Sequence, residues 1–470
     1  MAWRIIQGNA AEPHQEVDTA SVHCVVTSPP YYSLRDYQTG GCSWPEMEYY
    51  LTPLLPSLKI PAWNGELGSE PTPEAYVGHL VLAMRRVWHV LRNDGTVWLN
   101  IGDNYAGSRQ GWGKKGNDGR DWLGGYGAEN PPGYISSRGT NGIKPKDLFM
   151  IPELLMFALR SDGWYVRSSV IWEKPDAQPE SATDRLTRSY EYVWLLTKRP
   201  NYYFDYVAIR EPGVEHPGRA GTFSRKSGKN TLLEMPGQKH CSHRPDREDR
   251  VPIGRNKRDV WAIPTRTISW AFCSSCKILY KGREQKLIKV IADGDSIIRQ
   301  CPNCGSTDGW ISHFAPFPPE LVEVCVLAGS SPQACPKCGA PWERIIEEKS
   351  IERYDLPPDD PRYRPARYAS KYDILKKGGT AMRYHGVKTI GWRPTCICEG
   401  NDGSGRSVVL DPFAGTGTTL LKSEELGRDS IAYEMNPDYC DVIAARAQGL
   451  DQGELSKDAG GNVLVQGTFF

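Results

Sequence analysis

The stretch Val408-Val409-Leu410-Asp411-Pro412-Phe413-Ala414-Gly415-Thr416-Gly417-Thr418-Thr419-Leu420 limits most tightly what this chain can become. It reads as a strand, a tight glycine loop and the start of a helix, the arrangement that cradles a nucleotide-like cofactor. Glu434 follows about one βα unit later, ending the short strand Ser430-Ile431-Ala432-Tyr433, and an acidic residue there suits a ribose diol. No lysine follows the glycines to meet a phosphate, which excludes a Walker loop. A nicotinamide-binding fold fits the glycines less well.

A second rigid stretch lies near the other end of the chain. The apolar run Val22-His23-Cys24-Val25-Val26 reads as a buried strand that opens into Thr27-Ser28-Pro29-Pro30-Tyr31-Tyr32. Two successive prolines remove two backbone donors and fix φ, so the Pro29 carbonyl is held still. With the Ser28 hydroxyl before it and the Tyr31 ring after it, the stretch offers two acceptors and a stacking face. Those groups hold a planar nucleobase by its exocyclic amino group. Taken alone, a Ser-Pro-Pro triplet reads more simply as a strand running into a turn.

Together the two stretches resemble the amino-group DNA methyltransferases that use S-adenosylmethionine, whose signatures are an Asp/Asn/Ser-Pro-Pro-Tyr/Phe tetrapeptide and a Phe-x-Gly-x-Gly loop. The tetrapeptide comes first here and the loop last, as in the permuted β class of that family. Gly8-Asn9-Ala10, Val97 to Asp103, Trp164 to Pro175 and His313 to Pro319 sit where that class has further blocks, so the resemblance covers roughly half the chain. It implies an α/β, Rossmann-like methyltransferase sheet with permuted motif order. It implies Ser28, Pro29, Pro30 and Tyr31 as the catalytic set. For the cofactor it implies Asn9, Phe314, Phe317, Asp411, Phe413, Gly415, Gly417 and Glu434, although the family commonly has Asp where Asn9 stands. Ser in the first tetrapeptide position leans toward cytosine N4 as the methyl acceptor, with adenine N6 the alternative.

Thirteen cysteines would suggest disulfides in a small secreted chain. Here eight of them fall into close pairs in a 470-residue chain with no targeting segment, which points to metal thiolates. Cys273, Cys276, Cys301 and Cys304 bracket two strand-like runs, a zinc-ribbon pattern in which four thiolates replace the core so short a segment cannot build. Cys335, Cys338, Cys396 and Cys398 form a second set across a longer gap. Each set is closed by four cysteines and leaves no position for water, so two structural Zn2+ sites are expected. Cys24, Cys325 and Cys440 read as core residues.

The expected organisation is a catalytic half over 1–211 carrying a DNA-contacting loop at 104–146, and a target-recognition region over 212–312 that includes the ribbon 273–304. A cofactor-supporting helix at 313–330, the second cysteine insertion at 331–404, the cofactor half at 405–450 and a flexible tail at 451–470 complete it. The formal charge of +1 gives no global sign of a polyanion partner, so a DNA face must come from local clusters such as the basic run from Pro212 to Arg258. With no 18-residue apolar run, no membrane partner is expected. The resemblance implies double-stranded DNA as partner, a cognate restriction endonuclease as a separate chain, and the cytoplasm of a bacterial or phage-infected cell. Two other classes compete: a methyltransferase of RNA or of protein glutamine, and a zinc-ribbon DNA-binding protein that has lost catalysis.

Overall fold

The computed structural model describes residues 3–12, 16–33, 41–106, 143–144, 146–180, 182–212, 254–266, 270–281, 288–293, 296–311, 317–352, 383–447, 454–457 and 463–467. Phe314, His313, Arg35, most of the 104–146 loop and most of the basic 212–258 run lie outside them. Two compact units divide the chain. The first joins Met1–Asp205, Asp259–Trp342 and Pro394–Phe470, and the second joins Tyr206–Arg258 and Glu343–Arg393. The region expected over 212–312 is thus split, with its ribbon in the first unit.

The chain opens with strands β1 (Trp3–Gln7) and β2 (Val22–Thr27), then β3 (Cys42–Trp44), β4 (Met47–Tyr49), β5 (Leu58–Ile60) and β6 (Trp63–Gly65). Helix α1 (Pro73–Val90), β7 (Leu91–Ile101), α2 (Ile151–Ser161), β8 (Tyr165–Glu173) and β9 (Tyr190–Thr197) follow. After β10 (Glu211–Pro212), β11 (Gly254–Arg255) and β12 (Val260–Ala262) come the ribbon strands β13 (Trp270–Cys273), β14 (Ile278–Lys281), β15 (Lys289–Asp293), β16 (Ser296–Gln300) and β17 (Trp310–Ile311). The remainder is α3 (Pro319–Gly329), β18 (Glu343–Glu352), β19 (Arg383–Arg393), β20 (Val408–Asp411), α4 (Thr418–Glu425), β21 (Asp429–Glu434), α5 (Pro437–Ala447), β22 (Glu454–Lys457) and β23 (Val463–Gly467).

One mixed sheet organises the first unit, in the order β12-β8-β9-β7-β2-β20-β21-β1-β23-β22. Its centre, β7-β2-β20-β21-β1, is parallel throughout. Every residue of β2 is buried, as continuous apolar strands are when both faces of a parallel sheet are covered. The β2/β20 pairing sets Cys24 opposite Val409 and Val25 opposite Leu410, so strands far apart in sequence end side by side. In the second unit β18 and β19 form a long antiparallel hairpin, and β10 pairs with β11.

Helix α1 starts where Thr72 accepts a hydrogen bond from the Ala75 N–H (3.1 Å) and Pro73 fills the first turn. It buries the expected stripe of Tyr76, Leu80, Met84 and Val87, with Leu91 just beyond its end. Asn93-Asp94-Gly95 is the stop that the sequence pattern predicts for this helix, and it comes too late, because the helix ends at Val90 and β7 begins at once. Lys198 makes this abrupt exit affordable in polar terms by donating to the carbonyls of Trp88 (2.9 Å) and Leu91 (2.8 Å), a role invisible to local sequence. Two further expectations need correction. The 38–73 segment, read as loop, holds two short hairpins, β3/β6 and β4/β5, and the tail read as flexible supplies β22 and β23, which extend the sheet beyond β1.

Helix α2 has no side-chain cap of its own, and its N-cap Met150 lies in the left-handed region at φ 59°. Asp103 substitutes from the end of β7, accepting from the N–H groups of Met150 (3.0 Å) and Ile151 (3.2 Å). Asp103→Ala is expected to destabilise the protein by about 1–2 kcal/mol, read as a lower urea midpoint at unchanged slope.

Candidate active site

The two motifs recognised in the sequence meet at the carboxyl ends of β2 and β20. Thr27 donates to Asp411 Oδ1 (2.7 Å), and the same oxygen accepts from the Phe413 N–H (3.1 Å). Thr419, on the first turn of α4, donates to the Val26 carbonyl (3.2 Å). Burial pushes Asp411 up to about 6. Its carboxylate therefore acts as a fastener between the residue preceding Ser28 and the glycine loop, and shapes the loop through the Phe413 amide. The Phe413 ring packs against the main core.

The loop itself is held by Glu434, which ends β21. Its two oxygens accept from the Gly415 N–H (2.7 Å) and the Asn436 N–H (2.8 Å). Burial outweighs these donors and pushes the carboxyl up to about 7. Gly417 caps α4 in the left-handed region at φ 78°, and a Cβ there would lie 2.8 Å from the Ile443 side chain, so only glycine fits. Asn9 stands beside this corner: the Gly8 N–H donates to the Glu434 carbonyl (3.0 Å), while Asn9 accepts from Ala11 N and donates to the Cys42 sulfur (3.2 Å). Phe317 is half-buried just before α3, which packs on α4 and β2.

The tetrapeptide is locked from several sides. Tyr76 of α1 donates to the Pro30 carbonyl (2.7 Å), which engages the second proline and leaves the turn rigid. Gly68 accepts from the Ser33 N–H (2.7 Å) and is itself held by Glu70, which accepts from the Gly68 N–H (2.7 Å). Glu70 is fully buried and paired with His79 (2.8 Å), whose ring stacks between Trp44 and Trp63. This buried support for the catalytic turn escaped sequence reading, since Gly68, Glu70, Trp44 and Trp63 come from the 38–73 segment expected as loop and meet His79 of α1 only in the fold.

Tyr31 does more than present a ring. Its face lies on the backbone of Gly102, where a Cβ would come within 2.7 Å of the Tyr31 Cε2. Its hydroxyl accepts from Ser28 Oγ (3.3 Å) and lies 2.7 Å from Glu191 Oε2 and 3.0 Å from Asn100 Oδ1. Asn100 also donates to Glu191 (3.1 Å), and Lys174 pairs with the other Glu191 oxygen. The resemblance of the Trp164 to Pro175 block implies Lys174 near the substrate without giving it a role, and no motif in the sequence singles out Glu191. The available signal was a carboxylate at the mouth of an otherwise apolar strand.

Both cysteine sets converge, each with its sulfur atoms within 4.8 Å of one another. In the ribbon, Cys273 and Cys304 are 3.7 Å apart and Cys276 and Cys301 3.6 Å apart. Zinc–sulfur bonds of about 2.3 Å at tetrahedral angles set sulfur edges near 3.8 Å, so the donor set fits this ion. Tyr280 lies 3.1 Å from the Cys301 sulfur, and Asn401 donates to Cys396 (3.2 Å), the polar support that thiolate ligands need.

A glycine loop and a rigid acceptor mouth at the switch point of a parallel sheet define an α/β enzyme that brings a nucleotide-like cofactor against a second substrate. The family model described as DNA methylase (N6_N4_Mtase) matches residues 22–335 and 402–446. The Type II methyltransferase M.SmaI of Serratia marcescens is 32% identical over 443 residues, covering 94% of this chain and 90% of that protein. M.Cfr9I of Citrobacter freundii is 25% identical over 449 residues, covering 95% and 88%. A solved cytosine-N4-specific PvuII DNA methyltransferase aligns with 95% of this chain and 86% of its own at 12% identity and a TM-score of 0.42. The chain belongs to the N6/N4 DNA methylase family and is an S-adenosylmethionine-dependent DNA methyltransferase. Among the described residues no helix is long and apolar enough to cross a membrane.

Proposed function

We propose that the protein methylates the exocyclic N4 of a cytosine flipped out of double-stranded DNA, as the modification partner of a restriction endonuclease carried on a separate chain in the bacterial or phage-infected cytoplasm. The observation that carries this reading is the Thr27–Asp411 bond, which fastens the Ser28 mouth to the glycine loop. S-adenosylmethionine, a substrate of the reaction, supplies the methyl group. Ser28 and the Pro29 carbonyl accept the two amino hydrogens and aim the nitrogen lone pair, after which displacement needs mainly positioning. Tyr31 stacks on the base and offsets part of the unstacking cost of a few kcal/mol. Asn9 and Phe317 border the methionine end, Phe413, Gly415 and Gly417 form the cradle, and Glu434 takes the ribose. Both cysteine sets hold structural Zn2+. A hydroxyl rather than a carboxylate at position 28 favours cytosine over adenine N6, by resemblance to the family.

The test is mass spectrometry of nucleosides from plasmid DNA treated with the protein and S-adenosylmethionine bearing a labelled methyl. Label in N4-methylcytosine is expected; label in N6-methyladenine alone reassigns the base, and none in DNA points to another acceptor.

The ribose assignment has its own pH signature. Burial raises Glu434 to about 7, so its contribution to stability is present below the unfolded value near 4.3 and is lost as pH rises through 7. The ionised form is also the one that accepts two hydroxyls. Methylthioadenosine, which has the ribose without the amino-acid charges, should therefore bind more tightly as pH rises from about 6 to 8, gaining up to about tenfold per unit below the pKa. Calorimetric titration showing a flat profile would remove Glu434 from that role.

A further inference from the structure

Methyl transfer leaves a proton to be placed. When the amino nitrogen attacks, a nitrogen–carbon bond forms, the carbon–sulfur bond breaks with its pair going to sulfur, and the nitrogen gains a positive charge. One of its hydrogens must then leave as a proton. A serine hydroxyl is too weak a base to keep it, so the mouth needs somewhere to send it.

We infer that the chain Ser28–Tyr31–Glu191 is a proton relay that ends on the Glu191 carboxylate. Ser28 Oγ donates to the Tyr31 hydroxyl, whose single hydrogen has two acceptors in reach, Asn100 Oδ1 at 3.0 Å and the nearer, charged Glu191 Oε2 at 2.7 Å, which takes it in the relay. The 3.3 Å first step is a separation that shortens once substrate is clasped. As the nitrogen releases its proton to Ser28, the Ser28 proton passes to Tyr31 and the Tyr31 proton to Glu191. Ser28 and Tyr31 end neutral as they began, and Glu191 ends as the acid until solvent takes the proton after product release. No further reactant is required.

The surroundings suit that task. Glu191 is the second residue of β9, at the sheet's mouth, and is largely buried (14% side-chain exposure). Lys174, just after β8, pairs with its other oxygen, and Lys174 itself sits 4.5 Å over the Trp172 ring. From β7 the neutral Asn100 amide donates to Glu191 Oε2 and to the Tyr192 carbonyl, which fixes its orientation. Among the described residues the charged and titratable side chains bonded to Glu191 are thus Lys174 and Tyr31. Gly102 leaves the space that the Tyr31 ring occupies, since a Cβ there would come within 2.7 Å of the Tyr31 Cε2.

The inference rests on the proposed acceptance of an exocyclic amino group at Ser28, and it holds for cytosine and adenine alike. The experiment measures single-turnover transfer of labelled methyl to DNA between about pH 4 and 8.5, a span that runs from the ordinary carboxylate range past imidazole titration, for wild type, Tyr31→Phe and Glu191→Gln. S-adenosylmethionine affinity and melting temperature are measured alongside. Tyr31→Phe keeps the ring and its stacking face but cannot pass a proton. Both variants should slow transfer by about 10²-fold with cofactor affinity unchanged within about twofold, and the acid limb of the wild-type profile should vanish in Glu191→Gln. Should Glu191→Gln fail to fold, the loss of that limb in Tyr31→Phe decides. Wild-type rates in both folded variants would overturn the relay while leaving the methyltransferase reading intact. A slow Tyr31→Phe beside a Glu191→Gln that keeps both rate and acid limb would equally overturn it, since the phenol then only orients Ser28. Wild-type label on an acceptor without an exocyclic amine would instead overturn the underlying reading.

Discussion

Ser28→Ala is expected to lower turnover by about 10²–10³-fold while leaving S-adenosylmethionine affinity within about twofold of wild type. An exocyclic amino nitrogen is a poor nucleophile because its lone pair is spread into the ring, and the mouth works only by drawing that lone pair out. Alanine removes one of the two acceptors that do so. It leaves the Pro29 carbonyl in place, because the turn is rigid through its prolines and through Tyr76 on the Pro30 carbonyl. The cofactor corner should not notice the change, since Thr27, not Ser28, makes the bond to Asp411. Single-turnover rates on DNA and a separate cofactor titration check the two halves. Equal losses in both would show that the substitution had disturbed the β2/β20 junction rather than the mouth.

Removing the second cysteine centre should have an effect of comparable size by another route. Cys335→Ser or Cys398→Ser is expected to abolish the Zn2+ binding proposed for this set and to weaken S-adenosylmethionine binding by at least about tenfold, because structural zinc contributes on the order of 10 kcal/mol to the fold it closes. The chain leaves this centre after Cys338, runs through the β18/β19 hairpin and returns at Cys396, so the four cysteines close the neck of a long excursion. That neck is fastened to the catalytic sheet. His23 on β2 bonds the Gly339 carbonyl (2.6 Å) through one ring nitrogen and accepts from the Val408 N–H (3.0 Å) through the other, and Arg92 donates to the Cys338 carbonyl (3.0 Å). Burial pushes His23 down to about 4, in keeping with this neutral bridging role. Val408 begins the strand that carries the glycine loop. Metal content by atomic emission, paired with cofactor titration, is the readout. Full affinity in a metal-free variant would show that the neck is held by its hydrogen bonds alone.

Much of the plan could be read from local pattern. The strand before Ser28 and the strand before the glycine loop are short apolar runs bounded by residues that permit only one continuation, prolines in the first case and glycines in the second. The stripe of α1 follows from spacing. The cysteine pairs announce themselves because thiolates at CxxC spacing have few other uses in such a chain, and the structure brings both sets within ligand distance. Elsewhere the pattern misled, for a physical reason. The hairpins within 38–73 and the strands at the end of the chain are too short to show a period, and they exist because a partner strand or a buried Glu70–His79 pair completes them.

What the sequence by itself determined was therefore the kind of site: a glycine cradle that only positive-φ backbone can form, a double proline that stiffens one carbonyl, and eight thiols paired for metal. What only tertiary structure decided was how these parts touch and which unremarked side chains join them. Asp411 became a fastener because parallel pairing of β2 with β20 brings it to Thr27. Glu191 joined Tyr31 because β9 and β7 pair antiparallel beside β2 and leave its carboxylate at the mouth. Such contacts join residues more than a hundred positions apart. No local periodicity encodes them; they arise from burial of shared apolar faces, which fixes the register and with it the meeting of polar groups at the strand ends.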